Sequence, residues 1–70
     1  MNGGLTDRQA RILRCIRDHI IDTGESPSVR QIGALVGLSS SSSVAYQLGR
    51  LEERGLISRT GRHWRNIHMT

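Results

Sequence analysis

Seventy residues are about half of a common domain, so the chain has room for one small module. Hydrophobic residues are 36% of it, Phe is absent, and Tyr46 and Trp64 are the only aromatics, which predicts a small aliphatic core. Ten basic residues against six acidic ones give a net charge of +4, and every basic residue is Arg. Without lysine, a Walker A loop, a Schiff-base lysine and a Ser–Lys dyad are all excluded within this chain. The single Cys15 excludes an internal disulfide and a cysteine-rich zinc site, and suits a reducing cytoplasm. No apolar run approaches the ~18 residues of a membrane span, and Met1-Asn2-Gly3-Gly4 lacks the regions of a signal peptide. The expectation is a soluble, basic, cytoplasmic module rich in planar cations that match phosphate and guanine.

Residues 1–4 read as a tail and 5–69 as one domain. The first helix runs from Thr6 to Thr23. Thr6 with Gln9 three residues later forms a capping box, and Leu5 sits where a hydrophobic staple would. Leu13, Ile16 and Ile20, widened by Ile12, recur at helical spacing as a buried stripe. Asp7–Arg11 and Arg14–Asp18 are i,i+4 pairs on the outer face. Gly24 closes the helix, and Pro27 prevents its continuation.

Ser28 and Gln31 repeat the capping box and open a short second helix, with Val29, Ile32, Leu35 and Val36 as its apolar stripe. Gly37 stops it. The five serines Ser39 to Ser43 would read as a linker in isolation, but periodic segments flank them on both sides. A third helix therefore starts inside the run, with Ser40 as N-cap, and reaches Arg54 before Gly55. Val44, Leu48 and Leu51 mark its buried face. Ser42, Tyr46 and Glu53 fall opposite, flanked by Ser43, Gly49 and Arg50.

After Gly55 the period changes. Leu56-Ile57-Ser58-Arg59 is a short strand, Thr60-Gly61-Arg62 a turn, and Trp64 to Met69 a second strand. A lone hairpin is unstable in water, so Ile57 and Ile67 should anchor it to the helices, with Trp64 covering the core. The fold class is mainly α: three helices and a two-stranded β-hairpin wing.

Three helices followed by a basic hairpin is the layout of a winged helix-turn-helix, whose third helix enters the major groove while the hairpin rides beside it. Ser42, Ser43 and Tyr46 are short or slender groups able to reach base edges, and Gln47 and Arg50 lie further along the same helix. Arg59, Arg62 and Arg65 cluster in the hairpin, and His63 beside them suits a backbone contact. Cys15 and His19 lie four apart on the first helix, but two ligands without a third and fourth make a poor zinc site; a boundary histidine beside a small buried thiol is the plainer reading. Glu52 and Glu53 are helix neighbours pointing in different directions, with no nucleophile beside them. No catalytic residue, metal, cofactor or small-molecule substrate is expected. A winged helix can instead bind proteins. That alternative would call for an apolar exposed face on the third helix, whereas this one is Ser, Tyr, Gln, Gly and Arg.

Specific motifs sharpen this. Leu5-Thr6-x-Arg8-Gln9, Ile16-Arg17-Asp18-His19-Ile20 and Pro27-Ser28-x-Arg30-x-Ile32-Gly33 come in order. Val36-Gly37-Leu38, Ser42-Ser43-Val44-Ala45-Tyr46-Gln47-Leu48 and Leu51-Glu52-x-x-Gly55 follow. From Leu5 to Met69 the chain resembles the N-terminal DNA-binding domain of LexA repressors, most of all the Gram-positive and actinobacterial type. The resemblance implies a repressor domain that reads half of a palindromic operator of the GAAC–GTTC type, near damage-response or phage genes. It implies base contacts from Ser40, Ser42, Ser43 and Tyr46, to which Gln47 is added. It also implies backbone contacts from Ser28, Arg30, Arg54 and the wing, and Arg8, Ser41 and Arg50 extend that set. Tyr46 departs from the family, where His is frequent. The family's linker and Ser–Lys peptidase domain have no counterpart in these residues, so no self-cleavage is expected of them. A monomer in solution that pairs on double-stranded DNA is expected.

Overall fold

The computed structural model describes residues 4–61, 64 and 66–70. The helices are α1 (Asp7–Thr23), α2 (Val29–Val36) and α3 (Ser41–Glu53), and the strands are β1 (Ile57–Arg59) and β2 (Ile67–Met69). Both capping boxes form. The Thr6 hydroxyl accepts from the Gln9 N–H at 3.0 Å, and Gln9 Oε1 accepts from the Thr6 N–H at 3.2 Å. Ser28 and Gln31 repeat the exchange at 3.1 and 2.8 Å. Gly24 and Gly37 close their helices in the left-handed conformation, each at φ 79°.

The core is the aliphatic cluster Ile12, Ile16, Ile32, Val36, Val44, Leu48, Leu51, Ile57 and Ile67. Leu13, Ile20 and Trp64 pack against it partly buried. Pro27, expected only as a helix stop, is fully buried. Two expectations need correction. Leu35 is 62% exposed, because α2 turns Gly33 rather than Leu35 toward α3. A Cβ on Gly33 would lie 2.7 Å from the Leu38 carbonyl oxygen, so the α2–α3 turn closes directly over that glycine. On α1, neither expected i,i+4 pair is among the ion pairs of the described residues. Asp18 instead engages its neighbour Arg17 at 3.3 Å, with both side chains mostly exposed.

The strands are antiparallel, with Ile57 opposite Met69, Ser58 opposite His68 and Arg59 opposite Ile67. Ile57, Arg59, Ile67 and Met69 thus share the inner face, and both isoleucines are buried as expected. The second strand is shorter than the Trp64–Met69 expected. Thr70 ties its far end down: its hydroxyl donates to the Gly55 carbonyl at 2.6 Å and its N–H to Leu56 at 3.3 Å. Chain neighbours pack in sequence, α1 on α2 and α2 on α3, with β1 against α3 and β2 against α1.

Candidate nucleic-acid interface

Helix α3 separates two jobs by face. Val44, Leu48 and Leu51 are buried, while Ser42, Ser43, Tyr46, Arg50 and Glu53 are exposed. Tyr46, at 64% exposure, is the large hydrophobic side chain that α3 exposes. The Ser40 hydroxyl caps α3 by accepting from the Ser43 N–H at 3.4 Å, and Ser41 opens its first turn, exposed. The N-terminus of α2 lies close by. Val29, Arg30 and Gly33 share a cleft with Leu38, Ser39, Ser40, Ser41 and Val44. The exposed cap Ser28 and exposed Arg30 therefore stand beside the front of α3, and two helix starts offer backbone N–H groups to one region.

Gln47 departs from the other residues named for base contact. It is half-buried, and its Oε1 accepts from Gln9 Nε2 at 3.2 Å, so it bridges α3 to α1. Gln9 itself was missed as a positioning residue. Only 8% exposed, it spends Oε1 on the capping box and Nε2 on Gln47. The capping box alone left that second amide atom without a partner, and this was the available clue.

The cations differ in how far they are already engaged. Arg8 and Arg30 are exposed on the first turns of α1 and α2. Arg50 lies 3.9 Å from Glu53, and Arg54, capping α3, has its guanidinium beside Gly4. Arg59 lies within 3.4 Å of Glu52 and stacks 4.1 Å above the Trp64 ring. Those contacts fix the hairpin against the end of α3 and place Arg countercharges beside both carboxylates there. Arg62, His63 and Arg65 lie outside the described residues.

At the end of α1, His19 Nδ1–H donates to the Glu25 carbonyl at 2.8 Å, and the Thr23 hydroxyl donates to the His19 carbonyl at 2.8 Å. These bonds hold the α1–α2 connection. Burial first, and then the nearby Asp18 carboxylate, pushes the Cys15 thiol above its ordinary range, which favours the unreactive protonated form. No helix of the described residues is long and apolar enough to cross a membrane.

Three helices, an antiparallel hairpin and a polar, exposed third helix define a winged helix-turn-helix of the DNA-binding class. The family model "LexA DNA binding domain" matches residues 2–66. The chain belongs to that family: it is a DNA-binding domain of the LexA repressor type. It is 53% identical over 58 residues to a LexA repressor of Streptomyces coelicolor, covering 83% of this chain and 25% of that protein. It is 57% identical over 56 residues to a LexA repressor of Nocardioides, covering 80% and 23%. Against LexA repressor 1 of Nocardia farcinica it is 60% identical over 52 residues, covering 74% and 24%. The chain thus spans about a quarter of the length of these curated relatives, and the family match is to the DNA-binding domain.

Proposed function

We propose that this domain acts in the cytoplasm as the operator-reading unit of a transcriptional repressor of damage-response or phage genes. Two copies, monomeric when free, pair on a palindrome of the GAAC–GTTC type, each with α3 in the major groove of one half-site. The observation that carries this is the outward face of α3, where Ser42, Ser43 and Tyr46 are exposed while Val44, Leu48 and Leu51 are buried. Ser and Tyr hydroxyls both donate and accept, and the flat ring of Tyr46 can meet a thymine methyl. With Ser40 they read bases. Ser28, Arg30, Ser41, Arg8, Arg50, Arg54 and the wing arginines hold phosphates, with Arg59 acting more as a brace for the wing than as a free cation.

Mobility shifts with a GAAC–GTTC duplex and a scrambled duplex, at two salt concentrations, test the reading. Tyr46→Ala should narrow the ratio of operator to scrambled affinity by ~1–3 kcal/mol. Arg30→Ala should weaken both duplexes alike and flatten the salt dependence by roughly one unit of slope. If Tyr46→Ala weakens both equally while Arg30→Ala changes the preferred sequence, the division between reading and holding is reversed. A stable dimer in sedimentation without DNA would remove the pairing step.

A further inference from the structure

Seven glycines are described, and the chain's own structure explains six of them. Gly4, Gly24, Gly37, Gly55 and Gly61 adopt positive φ, between 74° and 97°, where an L side chain is strained. Gly33 is pressed against the Leu38 carbonyl. Gly49 has neither reason. It sits in the middle of α3 with helical φ, and among the described residues a Cβ built there meets nothing within 4 Å. Glycine in a helix interior is less stable than alanine, so the fold would gain from a methyl at this position. Nothing in the packing of the described residues accounts for that cost. Gly49 is partly exposed, one turn beyond Tyr46 and one turn before Glu53 on the outward face.

We infer that Gly49 is where the backbone of α3 passes closest to a sugar–phosphate strand at the wall of the major groove, and that its missing side chain sets how deeply the helix seats. This rests on the DNA-binding reading above. The wall, rather than a base, is the occupant for two reasons. Helical side chains lean toward the N-terminus, so Tyr46 reaches forward toward the Ser42 end rather than over Gly49. Arg50, exposed and also flanking the outward line of α3, can reach a phosphate of such a strand. Arg50 already balances Glu53 at 3.9 Å, which lowers the repulsion that carboxylate would present to the strand.

A close contact of this kind matters to a fully seated, specific complex. It matters little to the looser complex held by charge on non-specific DNA. The test begins by selecting, from a random duplex pool, the sequence that the wild-type domain prefers. Gly49→Ala and Gly49→Leu are then compared with wild type on that duplex and on a scrambled one. Gly49→Ala should raise the melting temperature of the free protein while lowering affinity for the selected duplex about tenfold. Gly49→Leu should lose more, and affinity for the scrambled duplex and the salt slope should change less than twofold. Unchanged affinity of Gly49→Ala for the selected duplex would overturn the inference and leave the DNA-binding reading intact. An altered base preference would also overturn it, by placing a base over Gly49. A wild-type domain that enriches no sequence would overturn both.

Discussion

The three helices and the hairpin are built on different principles. Helices α1 and α2 each begin with a reciprocal capping box and end on a left-handed glycine, so their limits are written into local sequence. The hairpin has two three-residue strands, and its hold on the molecule comes from elsewhere: Ile57 and Ile67 in the core, Arg59 on Glu52 and Trp64, and Thr70 on Gly55. Helices α1 and α2 are specified from within, whereas the hairpin is specified by what it rests on. A wing of this kind keeps its place only while the end of α3 keeps its own.

The single Trp64 makes that contrast measurable, since its fluorescence follows the hairpin while far-ultraviolet circular dichroism follows the helices. The largest effect should come from Leu48→Ala, which removes a fully buried side chain from the centre of α3 and costs ~2–5 kcal/mol. Both signals should fall together in urea. A fluorescence transition left at the wild-type midpoint would mean that the hairpin stands without the helices. Thr6→Ala should be smaller, about 1 kcal/mol, from the lost cap of α1; it too should move both probes equally. Arg59→Ala should be smallest, about 0.5 kcal/mol, because the ring contact and the partly exposed ion pair are each weak. Its loss should appear in Trp64 fluorescence before the helical signal changes. If the helical signal moves first, Arg59 supports α3 and the assignment of dependence is inverted.

The same contrast governs what could be read in advance. Caps, glycine stops and the stripe Val44–Leu48–Leu51 are short-range patterns, and they emerged where expected. Leu35 misled because counting apolar residues on an eight-residue helix cannot foresee the close approach of the Leu38 carbonyl, which gives the inner position to Gly33. The Gln9–Gln47 bridge joins residues 38 apart, and no local period encodes it. It makes Gln47 a link between helices as well as a residue of the recognition helix. Arg59 was read as a wing cation from composition, yet its engagement by Glu52 and Trp64 depends on how the hairpin folds back. The exposed positions of Ser42, Ser43 and Tyr46 followed from helical geometry alone, since once the buried face of α3 is known the outward face is its complement.

That division of α3 has an evolutionary consequence. Substitutions at Ser42 or Tyr46 fall on exposed side chains, so most replacements there should leave the fold standing. Binding preference can then drift by single steps through folded intermediates, with no compensating change required in the interior. A lineage could acquire a new set of target promoters by altering two or three codons while inheriting the rest of the domain unchanged.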